Sequence, residues 1–231
     1  MTHLMIPPKA AGESGRQYAY RVLYQAIMTL QLPPSWVLSD SELSQALQIS
    51  RTPIREAIVS LQEAKLVEVF PQKASIVSRI DLDAIEEGVF LRYHTECGIF
   101  REAVRKADGA AVGRLRANLL EQERRLQRGD VVGYFEMDNA FHKELYMIAG
   151  KPWVWATVAR IVTHHDRVRL LHAQLGTDQL WPAHREHWEI LEAIMSRSEK
   201  DMDEFFHEHL TAGYRSALPE LIRRFPDYFV L

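Results

Sequence analysis

The sequence contains 231 residues, of which 47% are hydrophobic and 26% are charged, and its formal net charge at pH 7 is −3. These values are ordinary for a soluble protein of one large or two modest domains with a packed core. The single cysteine, Cys97, excludes an intramolecular disulfide framework and a metal site built only from thiolates.

Charge and histidine are unevenly distributed along the chain. Residues 1–80 contain 8 Lys or Arg and 6 Asp or Glu, whereas residues 81–231 contain 20 and 25. Nine of the ten histidines also lie after residue 80. We therefore predict a small, mildly basic domain over residues 1–80 and a larger, acidic domain over residues 81–231.

The sequence shows no targeting or membrane-spanning pattern. Its first residues do not combine a cationic stretch with an apolar stretch of secretory length, and no run of about 18 apolar residues occurs. On this pattern we expect a cytoplasmic protein.

Three helices are predicted near the start of the chain. Apolar residues in "RQYAYRVLYQAIMTLQL" recur at spacings of three and four, as one buried helical face requires. A second, short helix begins in "SDSELSQALQI", where Ser39 and Glu42 have the spacing of a capping box. The third follows the connector "QIS", and Pro53 in its first turn loses no hydrogen bond there.

The third helix carries the first candidate functional residues. Arg51 and Arg55 are four residues apart and share one face near the start of the helix, with Thr52 beside them. Two short helices joined by a tight turn, the second with arginines at its start, are typical of a helix-turn-helix that inserts its second helix into the major groove. The alternative is that both arginines are ordinary solvated residues on a helix surface.

A β-hairpin is predicted after the third helix. "LVEVF" and "SIVSRI" are rich in β-branched residues and flank the short loop "PQKA", with Lys73 near its tip. Three helices followed by a hairpin form a winged helix. A mostly acidic protein can still bind DNA when its positive charge is concentrated on the element that enters the groove.

The stretch "LPPSWVLSDSELSQALQISRTPIREAIVSLQEAKLVEV" resembles the DNA-binding domain of GntR-family transcriptional regulators, roughly over residues 17–80. The motifs "SELSQAL" and "SRTPIREA" carry the resemblance in the expected order. It implies that Arg51 and Arg55 contact bases or phosphates. We include Ser41, Thr52 and Lys73 with them as candidate DNA-binding residues.

The chain departs from the family pattern in two places. The family usually has an Arg-Gly pair in the wing, where this chain has Lys73 and Ala74, and a glycine before the first wing strand, where it has Lys65. The first departure bears on the approach of the wing to the minor groove, because glycine permits backbone proximity that Ala74 resists.

The rest of the chain has helical periodicity and no clear strand pattern. Breakers in "ADGA", "RGD", "AGKP", "LGT" and "RSEKD" divide it into six segments. The segments are residues 83–106, 109–127, 131–149, 153–175, 178–196 and 200–224. We therefore predict a mainly α protein, in which an all-α antiparallel bundle follows an N-terminal winged helix-turn-helix.

Four residues of the predicted bundle are candidate metal ligands. In "DNAFHKEL", Asp138 and His142 lie one helical turn apart, and His187 and His209 lie on two further segments. Three imidazoles and one carboxylate suit a divalent transition metal, with Zn preferred and Ni or Mn as alternatives, and leave positions open for water or a ligand. The alternative is that these histidines bind no metal, because a histidine on an amphipathic helix is more often an ordinary surface or core residue.

Residues 83–217 resemble the FCD ligand-binding domain of the FadR subfamily of GntR regulators. In that domain Asp and His share one helix, a second His precedes an "xxIL" run, and a third precedes the leucine of the last long helix. The matching positions here are Asp138, His142, His187 and His209. The resemblance implies that they bind one metal ion per chain. The neighbouring His184 and His207 match the pattern less well.

"LRYHTECGIF" contributes Arg92 and Glu96, which match an Arg and a Glu in the first helix of the family's ligand domain. An arginine that faces inward there could bind the carboxylate of an organic acid through two parallel hydrogen bonds. The alternative is an ion pair within the helix on the protein surface, worth a few tenths of a kcal/mol.

The sequence favours a dimeric, DNA-binding transcriptional regulator whose bundle binds a small carboxylate effector beside a metal ion. It favours a repressor over an activator. Two-fold symmetry would match palindromic half-sites about one helical turn apart. One alternative is a metal-dependent phosphohydrolase of the HD type, because "THHDR" contains adjacent His165 and Asp166. Another is a regulator that senses the metal itself.

Overall fold

The computed structural model describes residues 4–198 and 202–230. They form ten α-helices and five short strands, so the predicted mainly α fold class is confirmed. Two compact units are present: residues 1–83 together with 221–231, and residues 84–220. The last residues of the chain therefore group with the N-terminal unit.

The N-terminal unit contains three helices and a small sheet. Its elements in chain order are α1 (Gly15–Met28), β1 (Val37–Leu38), α2 (Asp40–Leu47), α3 (Arg51–Glu63), β2 (Val67–Phe70), β3 (Ala74–Val77) and β4 (Ile80–Asp81). Helix α1 begins at Ser14, whose side chain and that of Gln17 cap each other's backbone amides. Ser39 caps helix α2, and its hydroxyl accepts from the amide of Glu42, which is one half of the predicted capping box. The reciprocal bond from the Ser39 amide to the Glu42 side chain is not present among the described residues.

Helices α2 and α3 are joined by the tight turn that the sequence predicts. Gln48 ends α2 in the left-handed conformation, with φ of 54°. The hydroxyl of Ser44 donates to the carbonyl of Ile49 at 2.6 Å and holds the turn closed. Leu43 on α2 and Ile54 on α3 are fully buried in the core of this unit, which fixes the pair of helices.

The predicted hairpin is confirmed. Strands β2 and β3 pair antiparallel, with Val67 opposite Val77 and Phe70 opposite Ala74, and β1 adds to the outer edge of β3. Two of the described strands were not predicted: β1, and β5 (Phe229–Val230), which pairs in parallel with β4. Two-residue strands carry no detectable alternation, which is why the helical reading of the whole C-terminal part of the chain missed β5.

The second unit is a helical bundle. Its helices are α4 (Leu82–Lys106), α5 (Gly109–Gln127), α6 (Val131–Ile148), α7 (Pro152–Ile161), α8 (Thr163–Ala173), α9 (Trp181–Met195) and α10 (Asp203–Arg224). Large apolar side chains such as Phe100, Phe141 and Phe206 form its core. Among the residues that the structure describes, none of these helices is long and apolar enough to cross a membrane.

The prediction of a single helix over residues 153–175 is wrong, because α7 ends at Ile161 and α8 begins at Thr163. No Pro or Gly marks this break in the sequence. The backbone of α4 passes close to it: a Cβ added to Gly88 would lie 3.3 Å from the carbonyl oxygen of Ile161. The break therefore coincides with a tertiary contact between α4 and the end of α7, and no local sequence signal marks it.

Lys65 occupies the position at which α3 is closed by a Schellman motif. Its φ is 60°, and the amides of Lys65 and Leu66 donate to the carbonyls of Gln62 and Leu61 at 3.0 and 2.9 Å. Glycine is the usual residue at this position because it adopts the left-handed conformation without a Cβ clash. The departure from the family pattern at Lys65 is therefore a departure at a helix end.

We expect Lys65→Gly to stabilise the protein by about 0.5 kcal/mol, because the relief of left-handed strain exceeds the added entropy of the unfolded chain. Urea unfolding monitored by circular dichroism measures the change. The control is Lys143→Gly in the exposed middle of α6, which should cost about 1 kcal/mol. Equal destabilisation by the two substitutions would contradict this account of Lys65.

Candidate nucleic-acid interface and metal centre

The predicted DNA-binding residues lie around one open cleft of the N-terminal unit. The start of α3 forms one side of this cleft, and the β2–β3 hairpin forms the other. Four of the five candidates line it: Ser41, Arg51, Arg55 and Lys73. Thr52, the fifth, is exposed in the first turn of α3. The structure thus brings together residues that are up to 32 positions apart in sequence.

Both arginines of α3 reach solvent and are held by residues of α2. The Arg55 side chain is 67% exposed, and its Nε donates to Oδ2 of Asp40 at 2.6 Å. Nη2 of Arg51 donates to the hydroxyl of Ser41 at 3.0 Å. These contacts orient the guanidinium groups while leaving other donors open, which suits arginines that read a groove. Asp40 was not among the predicted residues.

Apolar side chains accompany the cationic ones at the cleft. Val37, Val59 and Phe70 line it and are 56%, 51% and 44% exposed. Exposed apolar residues next to an arginine pair can contact thymine methyl groups or deoxyribose. The sequence analysis did not identify these three residues as candidates, because single apolar residues carry no signal that distinguishes an exposed side chain from a buried one. At the hairpin tip, Lys73 is exposed, whereas Ala74 is half-buried in the strand pair.

Three histidines from three helices meet inside the bundle. His142 lies on α6, His187 on α9 and His209 on α10. Nε2 of His142 is 3.3 Å from Nε2 of His187 and 3.4 Å from Nε2 of His209. One ligand atom from each residue lies within 4.8 Å of the other two. The ring nitrogens therefore surround a single point where an ion could bind.

The other ring nitrogen of each histidine faces an oxygen that only accepts hydrogen bonds. The Nδ1 atom of His142 lies 3.1 Å from Oε2 of Glu96. That of His187 lies 3.0 Å from Oε1 of Gln122, and that of His209 lies 2.6 Å from Oε2 of Glu186. The acceptors beside His187 and His209 favour a proton on Nδ1, which directs the lone pair of Nε2 to the common point. Among the described residues, Nδ1 of His142 and Oε2 of Glu96 are close but form no hydrogen bond. This arrangement is typical of the outer contacts that orient metal-binding histidines.

Burial sets the charge of the cluster. Desolvation lowers the pKa of His142 and places that of His187 well below its ordinary value, so both rings are neutral near pH 7. Burial alone would raise the pKa of Asp138, but Arg169 and the two imidazoles outweigh it and hold that pKa well below the usual range. Neutral imidazoles and an ionised carboxylate are the forms that bind a cation.

Asp138 lies at the edge of the histidine cluster. Its Oδ1 is 3.5 Å from Nε2 of His187 and accepts a 2.7 Å hydrogen bond from Nη2 of Arg169. Within residues 4–198 and 202–230, its buried Oδ2 has no hydrogen-bond partner. The alternative histidines lie elsewhere: His184 contacts Gln122, and His207 packs against the ring of Tyr93.

Arg92 and Glu96 form a buried ion pair, so the alternative of a surface pair is wrong. Their side chains are 2% and 1% exposed, and Nε of Arg92 donates to Oε1 of Glu96 at 2.6 Å. The second carboxylate oxygen of Glu96 faces His142. One carboxylate therefore connects the arginine to the histidine cluster, a link that the i, i+4 spacing alone does not reveal.

A cavity of about 110 Å³ lies beside the cluster. Its lining includes Arg92 and His209 and the carboxylates of Glu186 and Glu208. It also includes three residues that the sequence did not identify as ligand-binding, which are Tyr134, His165 and Arg169. The only sequence signal for the last two is the density of charge and histidine in "THHDRVRLLH" on α8. Among the described residues, the side chains grouped closely enough to bind one metal ion are His142, His187 and His209, and they do not include His165 or its neighbour Asp166.

Family models match both units of the chain. The model described as "Bacterial regulatory proteins, gntR family" matches residues 16–77, and the FCD domain model matches residues 88–212. The chain is similar to an HTH-type transcriptional regulator of Streptomyces ambofaciens, 38% identical over 177 residues, which cover 76% of this chain and 74% of that protein. It is also similar to the HTH-type transcriptional repressor RspR of Escherichia coli K12, 30% identical over 197 residues, covering 84% and 85%.

Solved structures share the fold. E. coli McbR/YncC superposes with a TM-score of 0.74 at 18% identity, covering 92% of this chain and 99% of that one. A GntR-type protein from Rhodococcus sp. RHA1 gives a TM-score of 0.68 at 22% identity, covering 90% and 97%. The sequence relatives are transcriptional regulators and not enzymes.

The buried pair predicts a dependence of stability on pH in chelator-treated protein. Although burial opposes the change, Arg92 and His142 lower the pKa of Glu96 to about 2 from an ordinary value of 4.5. The stabilisation by ionised Glu96 is thus fully present above pH 4.5 and is lost as the pH falls toward 2. We expect Glu96→Gln to destabilise the protein by about 3 kcal/mol at pH 7, because Arg92 loses its counter-ion.

Urea unfolding of both proteins at pH 7, 4.5 and 3.5 tests this expectation. The stability gap between wild type and Glu96→Gln should narrow by about 1.4 kcal/mol per pH unit below 4.5. Glu144→Gln, which breaks an exposed pair with Arg114, provides the control and should change little. A gap that stays constant down to pH 3.5 would contradict the assignment.

Proposed function

The chain belongs to the GntR family of bacterial regulatory proteins and carries an FCD domain, and on this basis we propose that it is a homodimeric repressor whose affinity for DNA changes when a small organic acid binds. It is a transcriptional regulator and not an enzyme, which removes the phosphohydrolase alternative. In this proposal residues 1–80 bind DNA, and residues 81–231 bind a metal and the effector and form the dimer. We place its action in the cytoplasm, where the chromosome is accessible.

The open cleft supports the DNA-binding role. The observation that carries this proposal is the pair Arg51 and Arg55, which start α3 and remain exposed on the face that the hairpin flanks. Helix α3 would enter the major groove with its N-terminal end first, and Lys73 would follow the adjacent backbone or minor groove. One such helix reads only a few base pairs, so two copies on palindromic half-sites would supply the specificity.

The histidine cluster fits a divalent metal. Three converging imidazole lone pairs, with the unpartnered Oδ2 of Asp138 nearby, match the nitrogen and oxygen donors that Zn, Ni or Mn accept. We propose one such ion per chain, Zn first, held by His142, His187 and His209, with Asp138 as the fourth ligand. When bound, the ion would supply an open coordination position for a carboxylate oxygen.

The adjoining cavity supports an effector with a carboxylate group. Arg92 lines the cavity, is buried, and has an Nη2 without a hydrogen-bond partner in the part of the chain that the structure describes. An anion would satisfy that donor. Glu96 lines no part of the cavity in the described residues, so its role in this proposal is to hold Arg92 and His142 in place.

Regulation would follow from differential affinity. An effector that binds one dimer arrangement more tightly shifts the population toward it, and so changes the spacing of the two recognition helices. The proposal that the protein is a repressor rests on its similarity to RspR, an HTH-type transcriptional repressor. The second candidate, a regulator that senses the metal alone, predicts DNA affinity that follows metal concentration with no organic acid present.

We expect Arg55→Ala to weaken binding of the full-length protein to its operator by about 1–3 kcal/mol, because it removes a base or phosphate contact. Electrophoretic mobility shift or fluorescence anisotropy measures the change at fixed salt. Arg16→Ala is the matched control, since this exposed arginine of α1 bonds Ser60 and does not line the cleft in the described residues. Equal affinities of Arg55→Ala and wild type would remove Arg55 from the interface.

Metal content distinguishes the proposed ligands from neighbouring histidines. Protein purified without chelator or a metal-affinity tag should contain about one transition metal ion per chain by plasma mass spectrometry. His142→Ala should lose it, whereas His207→Ala should retain it because His207 packs against Tyr93 outside the cluster. Metal retained in His142→Ala at the wild-type level would disprove the ligand assignment.

A further inference from the structure

The open cleft of the N-terminal unit contains a carboxylate among its positive charges. Arg51, Arg55 and Lys73 line the cleft, and of the described residues that line it Asp40 alone is acidic. The Asp40 side chain is 28% exposed, so its charge lies within reach of a phosphate backbone bound at the cleft. A carboxylate at such a surface repels phosphate groups. Asp40 therefore opposes the binding that the other three charges favour.

Asp40 holds Arg55 by one particular nitrogen. Its Oδ2 accepts a short, charge-assisted hydrogen bond from Nε of Arg55 at 2.6 Å. Asp40 is also the first residue of α2, and Leu43 anchors that turn in the core with no exposed surface. A long side chain that is free in solution must be ordered when it contacts DNA, at a cost of about 2- to 10-fold in affinity. Asp40 removes part of that cost for Arg55.

The contact at Nε leaves the outer edge of the Arg55 guanidinium group open. Within the part of the chain that the structure describes, hydrogen bonds to this group involve Nε alone. Nη1 and Nη2 form an edge that can donate two parallel hydrogen bonds. Guanine presents two acceptors, N7 and O6, in the major groove. The geometry thus matches the outer edge of Arg55 to one guanine.

Arg51 is held differently. Its Nη2 donates to the hydroxyl of Ser41 at 3.0 Å, so a neutral partner already occupies one nitrogen of its outer edge. This partner adds no negative charge to the cleft and does not leave both terminal nitrogens open. Of the two arginines, Arg55 is therefore the one whose outer edge is complete and whose orientation is fixed by a charge.

From these contacts we infer that Asp40 sets the sequence specificity of DNA binding. It holds Arg55 so that Nη1 and Nη2 read one guanine in each half-site, and its charge weakens binding to unrelated sequences. The inference rests on the DNA-binding role of the cleft in the proposed function, and it assigns specificity to a positioning residue that itself contacts no base. Removal of the carboxylate should therefore have two opposite effects: weaker binding to the preferred sequence and tighter binding to unrelated DNA.

Two other roles for Asp40 give different results. An acid in the first turn of a helix stabilises the helix through its dipole. Loss of that effect alone would lower the fraction of folded protein and reduce apparent affinity for all DNA by the same factor. A carboxylate can also accept from N4 of cytosine, and Asp40 would then select a cytosine without Arg55. The ratio of specific to nonspecific affinity distinguishes these roles even if a variant is less stable.

The experiment begins with selection of the preferred sequence from random DNA duplexes by the full-length wild-type protein. Fluorescence anisotropy at fixed salt then measures affinity for that duplex and for a shuffled duplex of the same composition. We expect Asp40→Ala to bind the shuffled duplex about 2- to 5-fold more tightly, the value of one exposed charge interaction. It should bind the selected duplex about 2- to 10-fold less tightly, because Arg55 is no longer ordered.

Conservative variants separate charge from orientation. Asp40→Asn keeps an acceptor but loses the charge, so it should show the nonspecific gain in full and the specific loss in part. Asp40→Glu keeps the charge and should restore part of the wild-type ratio. The matched control is Glu42→Gln, which removes the other acid in the first turn of α2, exposed and outside the described cleft lining. Its ratio should stay within about 2-fold of wild type.

An altered base tests the guanine contact directly. Each guanine of the selected duplex is replaced in turn by 7-deazaguanine, which lacks the N7 acceptor. At one position per half-site the replacement should cost wild-type protein about 2- to 10-fold in affinity, and it should cost Asp40→Ala and Arg55→Ala less. No position with this pattern, or a cytosine preference lost in Asp40→Ala but kept in Arg55→Ala, would overturn the inference.

The same measurements separate this inference from the proposed function. If selection enriches a sequence but Asp40→Ala keeps the wild-type ratio, or Glu42→Gln lowers the ratio as far, the DNA-binding function stands and the role of Asp40 fails. If selection enriches no sequence, both are overturned. The two opposite effects of Asp40→Ala would support the inference whether or not an organic acid changes DNA affinity, so the effector part of the proposed function can fail separately.

Discussion

The convergence of three imidazole nitrogens at one buried point is the constraint on which the C-terminal unit depends. Lone pairs held 3.3–3.4 Å apart repel one another unless a cation or a proton lies between them. The chain maintains this arrangement with acceptors on the far side of each ring, which come from α4, α5 and α9. Rings and acceptors together connect five helices, so the packing of the bundle and the chemistry of the site are set by the same contacts.

The histidine cluster and the neighbouring cavity share their counter-ions. Glu96 contacts both Arg92 of the cavity and His142 of the cluster, and Asp138 pairs with Arg169 of the cavity while lying next to His187. A charge placed in either site therefore changes the electrostatic balance of the other. Such shared carboxylates provide a physical route by which the affinities of the two sites can depend on each other.

The positive charge available for DNA binding in the N-terminal unit lies on a small part of its surface, and it does not require a positive net charge of the whole chain. The whole chain is acidic, with a formal charge of −3, yet the start of α3 presents two exposed guanidinium groups held by Asp40 and Ser41 of α2. Those contacts restrict the arginines before any groove is met, which reduces the entropy lost on binding. In the proposed function, affinity for DNA would come from one face of α3 and the hairpin beside it.

The sequence by itself determined the elements whose signals are local: the capping residue Ser39, the tight turn before α3, the hairpin, and the spacing that puts Asp138 and His142 on one face. It also supplied the four metal-ligand candidates, three of which meet in the fold. Only the tertiary structure decided that Arg92 and Glu96 are buried, that a helix breaks at Val162, that the tail pairs with β4, and that Arg169 faces the same cavity as Arg92. These depend on contacts between helices distant in sequence, and the rotation of a helix about its axis is fixed by its neighbours and not by its own periodicity.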